Sequence, residues 1–141
     1  MCRSSNTQPA FRHLGWFPGR KVDITHWHAE LAIDEGFDFH NEAKRFLREF
    51  GGITVEVGGP GVRTARTSFD LDPDLCSGQQ RWFAELSERH GAWLFPLGEI
   101  QGGHATLAID EHGGVHILFD RHVSFVGRRG DALGNLIDGD Y

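Results

Sequence analysis

The sequence predicts an α+β fold, and three patterns along the chain lead to that class. Apolar residues recur at helical spacing in segments near residues 24–36, 40–50 and 75–90. Short apolar runs bounded by glycine, which are typical of strands joined by tight turns, concentrate between residues 91 and 125. Nineteen glycines cluster at the joints between these segments. Helices and edge strands laid against a central meander are therefore the predicted architecture.

The 141 residues are enough for one domain that buries its own core without stabilising cross-links. No internal repeat, low-complexity segment or linker interrupts the chain between residues 14 and 139. We therefore assign residues 14–141 to a single domain and residues 1–13 to a disordered N-terminal tail.

Charge and cysteine content narrow the class of function. The formal net charge is −6, which disfavours direct nucleic-acid binding because phosphate recognition needs basic surface, and which is compatible with a basic protein partner. Cys2 and Cys76 show no motif spacing, so reduced thiols in the cytoplasm are expected. The chain contains no apolar run of membrane-spanning length, and its polar N-terminus does not resemble a signal peptide.

The first half of the chain predicts two helices. Asp23 or Thr25 can cap the first, which is expected to end near Gly36. Its apolar stripe consists of Ile24, Trp27 and Leu31. The second helix is predicted from about His40 to Phe50, with Gly51 as its stop. Its apolar stripe consists of Ala43, Phe46, Leu47 and Phe50.

A short hairpin and a third helix are expected next. Residues 53–57 alternate as a strand, residues 58–61 (GGPG) make a turn, and a second strand is predicted over residues 62–69. Asp72 or Asp74 can cap the third helix, which extends to about His90. Its apolar face consists of Leu75, Gln79, Trp82, Phe83 and Leu86.

The central meander is predicted from three runs. Residues 92–97 are apolar at nearly every position, which predicts a strand covered on both faces, with Trp93 in the core. Residues 104–109 and 115–119 alternate with period two and are joined by the loop sequence DEHGG. Their predicted core faces consist of Ala105, Leu107 and Ile109, and of Val115, Ile117 and Phe119. A short strand near residues 123–126 and a helix over about 130–137 complete the prediction.

The nine histidines raise the question of a metal site. The best candidates are His104 and His116, predicted on the non-core face of adjacent strands, with His122 near them. Exposed sheet-face histidines are the commoner outcome of such a pattern, so we expect neither a metal nor a cofactor. Asp70, Asp72 and Asp74 resemble the start of a calcium loop, but the required glycine and glutamate are replaced by Leu75 and Arg81.

No catalytic site can be specified from the sequence. Neither cysteine lies in a nucleophile motif, and no serine stands in an elbow sequence. The remaining candidates for function are acidic side chains at the ends of predicted elements, where loops present them to solvent. These candidates for partner contact are Asp34, Glu35, Asp70, Asp72, Glu99, Asp110 and Glu111.

Several segments, taken in order, resemble one family. They are LGWFPGRKVD, FLREFGGITVEV, FDLDP, PLGEIQGGHATLAIDEHGGVHIL and DALGNLIDG. Together they resemble the SUKH superfamily, which includes the yeast Smi/Knr cell-wall regulators, and within it the third subfamily of bacterial immunity proteins. Most of the positions that carry the resemblance are interpreted as structural, with glycines at turns. The structural positions are Trp16, Pro18, Gly19, Arg20, Gly51, Gly52, Pro96, Gly98 and Gly113; Arg20, Glu99 and Asp110 are polar enough to suggest more.

The resemblance implies both a fold and a role. The implied fold packs N-terminal helices on a mixed, largely antiparallel sheet, with a closing C-terminal helix. The implied role is a cytoplasmic, non-enzymatic antitoxin that binds a polymorphic or contact-dependent toxin, often a nuclease or deaminase. Two alternatives stay open: a general interaction scaffold with a host protein as partner, and a small metal-dependent enzyme built around His104, His116 and His122.

Overall fold

A six-stranded sheet forms the centre of the computed structural model, which describes residues 16–100 and 103–141. The predicted tail at residues 1–13, and Leu14, lie outside the described residues. In order across the sheet, the strands are β1 (Thr54–Val55), β2 (Phe69–Asp70), β3 (Leu94–Ile100), β4 (Ala105–Asp110), β5 (Gly114–Phe119) and β6 (His122–Arg128). Sequence order and spatial order coincide, and all five pairings are antiparallel. The predicted α+β class and central meander are confirmed; the sheet is antiparallel throughout rather than mixed.

Among the described residues, four helices accompany the sheet. They are α1 (Thr25–Trp27), which continues as a π-helical segment (His28–Asp34), α2 (Asn41–Phe50), α3 (Gln80–His90) and the C-terminal α4 (Gly130–Asp138). A 3₁₀ segment (Pro73–Cys76) precedes α3. Aromatic rings fill the space between α2, α3 and the sheet: Phe39 stacks on Phe95 with ring centroids 4.2 Å apart, and Phe37 meets Phe83 and Phe95 edge-on.

The first two helices span the segments that their sequences predict, and the predicted stripe on α1 and its π-helical continuation is buried. The predicted cap of α1 is wrong, because Ile24 is the N-cap residue; Asp23 Oδ1 instead accepts hydrogen bonds from the backbone N–H and hydroxyl of Thr25 just before the helix. At the start of α2, His40 Nδ1 accepts from the backbone N–H of Ala43, so its Nε2 carries the proton and donates to the carbonyl of Ile109. His40 therefore both caps α2 and ties it to β4.

Arg20 accounts for one of the polar motif positions. Its guanidinium donates to the carbonyl of Glu49 at 2.6 Å and to that of Gly51 at 2.9 Å, at the end of α2, where helical carbonyls need partners from outside the helix. Trp16 contributes at the same place, since its indole N–H donates to the Glu49 carboxylate. Gly51 itself lies against Trp27: a Cβ there would come within 2.6 Å of the indole ring. The N-terminal motif therefore fastens the loop before α1 to the end of α2.

The predicted strand over residues 62–69 is wrong, and the strand at 53–57 is reduced to Thr54–Val55. The backbone N–H groups of residues 62–64 donate instead to the carbonyls of Asp138 and Gly139, at the end of α4. The approach is close, because a Cβ at Gly61 would lie 2.7 Å from the carbonyl oxygen of Asp138. The local sequence pattern does not indicate this long-range contact. The contact uses the backbone N–H groups that a longer hairpin would have needed.

The third helix is shorter than predicted. It begins at Gln80, because Gly78 adopts a left-handed backbone conformation (φ +87°) and separates it from the 3₁₀ segment. The expected cap is present on that segment, where Asp72 accepts from the backbone N–H of Asp74. Leu75 is consequently 42% exposed instead of packed. The predicted burial of Phe83 and Leu86 is confirmed.

The faces of the meander also differ from the alternating pattern. Trp93, predicted in the core, precedes β3 and is 51% exposed, and Phe119, at the far end of β5, is equally exposed. On the opposite face of β5, His116 and Leu118 are buried. The reason is that α3 contacts this second face through His90, so both faces of β4 and much of β5 are covered. Period-two patterning identifies the strands but not which face a distant helix covers.

Replacing Arg20 by glutamine should destabilise the fold. The substitution removes two charge-assisted hydrogen bonds to carbonyls at the end of α2, which we expect to cost about 2 kcal/mol in the free energy of unfolding. Urea denaturation measures the change. As a matched control, Arg63→Gln removes an exposed ion pair with Asp140 and should cost about 0.5 kcal/mol or less. Equal losses in the two variants would show that Arg20 is not a structural anchor.

Candidate functional site

The structure brings three of the seven predicted contact residues together at one edge of the sheet. Asp70 on β2 lies directly opposite Glu99 on β3, and Asp72 follows at the start of the 3₁₀ segment. Residues opposite each other in an antiparallel pair point to the same face, so the carboxylates of Asp70 and Glu99 are neighbours. Like charges in this position repel, and the arrangement therefore costs stability unless a partner of opposite charge is bound.

Two adjoining clefts, of about 500 and 430 Å³, lie along this edge and share Thr54 and Asp70. We call them together the acidic groove. Glu56 and Asp70 line the first cleft, and the second adds Asp72, Asp74, His26 and Trp27. Among the described residues, no lysine or arginine lines either cleft. The groove therefore presents a concentrated negative charge to solvent.

The charge in the groove is poorly compensated. Burial, Asp72 and Glu30 all raise the pKa of Asp74 above its ordinary value. The nearest potentially cationic group is His26, whose Nε2 lies 4.0 Å from Asp74 Oδ2. A raised carboxyl pKa indicates a site where a further negative charge is unfavourable and a cation would be stabilised.

Two buried polar atoms beside the groove have no hydrogen-bond partner in the part of the chain that the structure describes. They are the indole Nε1 of Trp27 and Oδ1 of Asp74. Trp27 is only 4% exposed, so its predicted role in the core is confirmed, but its donor is not satisfied there. An unpaired buried donor or acceptor costs about 1–3 kcal/mol, so the fold beside the groove carries a local loss of stability.

The outer edge of β1 adds a further binding feature. Within residues 16–100 and 103–141, this strand pairs with β2 alone, and both clefts lie along it. An edge strand offers a row of backbone donors and acceptors that an extended peptide can pair with. The groove therefore combines backbone recognition with a negative charge.

The other predicted contact residues lie elsewhere. Glu35 accepts hydrogen bonds from the hydroxyl of Ser77 and the N–H of Gly78, which fixes the break before α3. Glu111 accepts from the N–H of Trp93, and Asp34 is exposed at the end of the π-helical segment. Sequence reasoning missed Glu56, Asp74 and Trp27 as groove residues, although the alternation of aspartates at 70, 72 and 74 already indicated a common face.

Asp110 is not a surface residue but the centre of a buried polar cluster. Its Oδ2 accepts from His116 Nε2 at 2.8 Å and from His90 Nε2 at 3.2 Å. Its Oδ1 accepts from the backbone N–H groups of His112 and Gly114, at 2.8 and 3.0 Å. The single carboxylate thus joins the end of β4, the hairpin loop, β5 and the last turn of α3.

The protonation states of this cluster follow from burial and hydrogen bonding. Burial alone would raise the pKa of Asp110, but hydrogen bonds from His116, His90 and the two backbone N–H groups outweigh it and lower the pKa to about 2. Burial lowers the pKa of His116, and the attraction of Asp110 offsets only part of that effect. At neutral pH the pair is therefore a charged carboxylate and a neutral imidazole.

The three-histidine arrangement that we considered for a metal-dependent enzyme is not formed. His104 and His122 are exposed, whereas His116 is 4% exposed and points to Asp110. Within residues 16–100 and 103–141, one group of three potential ligands converges, and it consists of His90, Asp110 and His116. The described residues include no helix with the length and apolar character that a membrane span needs.

Comparison with protein-family models matches residues 3–139 to the SUKH-3 immunity protein. The chain belongs to this family. Searches of curated proteins and of solved structures found no match. Membership in the SUKH-3 immunity family confirms the resemblance seen in the sequence and supports an immunity role. The motif positions of the family member described here are largely structural: Arg20 and Gly51 fasten α2, and Asp110 organises the hairpin.

The Asp110 cluster should make stability fall in two steps as the solution is acidified. His116 has a lowered pKa when folded, so the unfolded chain binds its proton more readily and stability declines as the pH falls below about 6.5. Asp110 has a lowered pKa of about 2, so its contribution is complete above about 4 and is lost as the pH falls towards 2. The loss of the Asp110 contribution should lower the free energy of unfolding by about 2 kcal/mol.

Urea denaturation in chelator-containing buffer at about pH 7.5, 5.5, 4.5 and 2 tests this expectation. Asp110→Asn should lower stability at pH 7.5 and remove the step below about pH 4, while Glu88→Gln, on the exposed side of α3, should change neither. A wild-type stability that is flat between pH 7.5 and 5.5 would contradict a buried, neutral His116.

Proposed function

We propose that this SUKH-3 family member protects a bacterial cell by binding a cognate polymorphic or contact-dependent toxin in the cytoplasm and blocking it without catalysis. The observation that carries the proposal is the acidic groove, a concentrated negative surface on a member of an immunity family. We infer that the toxin is a nuclease or a nucleic-acid deaminase. Such enzymes bind a polyanion, so their active-site surfaces are basic and complementary to the groove.

The groove is better suited to contact with a protein toxin than to binding of a small substrate. Its clefts are shallow and bounded by an open strand edge, and the uncompensated carboxylates on its walls would attract lysine and arginine side chains. Charge of this kind accelerates association and excludes unsuitable partners. The lifetime of the complex then depends on desolvated contacts, for which the exposed edge of β1 is suitable.

We assign contact with the toxin to Asp70, Asp72, Glu56 and Asp74, which line the groove, and to Glu99, which lies beside it opposite Asp70. Asp34 lies away from the groove, and Glu35, Asp110 and Glu111 have structural partners. We therefore propose no direct contact for these four residues. Binding in this proposal depends on the charge of the groove itself and much less on the net charge of −6.

Co-expression with the protein encoded by the neighbouring toxin gene tests the function. A stable complex that restores growth is expected. Failure of both complex formation and rescue would overturn the toxin-binding proposal, and a pull-down from host lysate would then address the scaffold alternative.

A matched pair of double variants tests the groove. Glu56→Lys with Asp70→Lys reverses two groove charges, and Asp34→Lys with Glu88→Lys makes the same change in net charge elsewhere. We expect the groove variant to weaken toxin binding by about tenfold or more, equivalent to about 1.4 kcal/mol, mainly through slower association at low salt. The control should bind within about twofold of wild type. Equal weakening in both would show that net charge, and not the groove, sets affinity.

A further inference from the structure

We propose that His90, Asp110 and His116 bind one divalent ion of the zinc class, which clamps the end of α3 to the β4–β5 hairpin. This site is separate from the acidic groove, and the proposal does not depend on toxin binding. It rests on the geometry of three side chains that come from three different elements and converge at one point.

The distances are close to those of a metal site. His90 Nε2, Asp110 Oδ2 and His116 Nε2 all lie within 4.8 Å of one another, and the carboxylate oxygen lies 3.2 and 2.8 Å from the two nitrogens. Tetrahedral donors about 2.0–2.2 Å from a zinc ion are roughly 3.3 Å apart. Shifts of a few tenths of an ångström at His116, and a modest inward rotation of His90, would bring the three atoms to that spacing.

The surrounding backbone holds the donor atoms in place and leaves them space. Asp110 Oδ1 is fixed by two backbone N–H groups, which directs Oδ2 towards the histidines. Gly114 borders the same space: a Cβ there would come within 2.7 Å of Asp110 Oδ2 and 3.1 Å of His116 Nε2. Any side chain at this position would therefore press on two of the three donors, and glycine keeps the position open.

The chemical types of the three donors indicate which ion fits. Metal binding uses an imidazole nitrogen without its proton, so the proton that each Nε2 donates to Asp110 must move to Nδ1 when the ion binds. Two imidazole donors with one carboxylate favour zinc over calcium or magnesium, which prefer oxygen ligands. The His90 side chain is 25% exposed, so the site has a route for entry and room for a water as fourth ligand.

The hydrogen-bond partners of the ligand side chains set the expected affinity for zinc. His116 Nδ1 is buried without a hydrogen-bond partner among the described residues, whereas metal-bound histidines usually donate their other N–H to an oxygen. Loss of such a partner typically weakens metal binding by about 10–100-fold. We therefore expect this site to exchange its ion with chelators, unlike a structural zinc finger.

Titration of untagged protein, first stripped with a chelator, tests the proposal. Zinc should bind with one equivalent per chain and raise the melting temperature, and cobalt should bind at the same site with visible absorption bands. His90→Gln is the informative variant, because it removes one ligand from a partly exposed position and keeps a donor for Asp110. We expect it to weaken zinc and cobalt binding by about tenfold or more.

His122→Gln is the matched control, since it removes an exposed histidine of the neighbouring strand β6 and should leave binding unchanged. The proposal is overturned if wild type binds no zinc at millimolar concentration, or if His90→Gln binds as tightly as wild type. It is equally overturned if His122→Gln abolishes binding and His90→Gln retains it, since the ion then lies elsewhere.

Discussion

The carboxylate of Asp110 is the constraint on which the centre of this fold depends. All of its hydrogen-bonding capacity is used within the protein, by two backbone N–H groups on one oxygen and two histidines on the other. The backbone bonds shape the turn between β4 and β5, and the histidine bonds bring α3 onto the second face of the sheet. A buried carboxylate is costly unless it is paired, so the elements that surround Asp110 must assemble together.

The sequence predicts the parts of the fold that local periodicity controls. The stripe of α2 and its His40 cap are encoded within a few residues, and the meander strands follow from alternation and glycine turns. The failures occur where a distant segment decides the outcome. Residues 62–64 bond to the end of α4 instead of extending a hairpin, and His116 is buried because α3 lies over its face.

The candidate site shows the same division. The sequence already named Asp70, Asp72 and Glu99 as candidate contact residues. The structure adds Glu56 from β1 and Asp74 from the 3₁₀ segment. Nothing local could assign Glu35 to a structural role, because its partners Ser77 and Gly78 are more than forty positions away. The prediction that Asp110 is a surface contact residue is wrong for a related reason. A carboxylate at the start of a hairpin loop usually faces solvent, but Asp110 is buried and hydrogen-bonded to two histidines.

The fold thus separates two tasks. The Asp110 cluster stabilises the end of the sheet where α3 meets the β4–β5 hairpin. At the opposite edge, the acidic groove carries carboxylates with no lysine or arginine among the described residues that line it. We propose that this surface is the one used for binding, and membership in the SUKH-3 immunity family supports a toxin as the partner.

Hydrogen–deuterium exchange of the protein alone and in complex with its toxin tests this account most directly. The account predicts that the toxin slows exchange over residues 54–57 and 68–75, which line the acidic groove, and leaves the β4–β5 hairpin unchanged. Protection confined to the β6 edge or to α4, with the groove still exchanging freely, would contradict it.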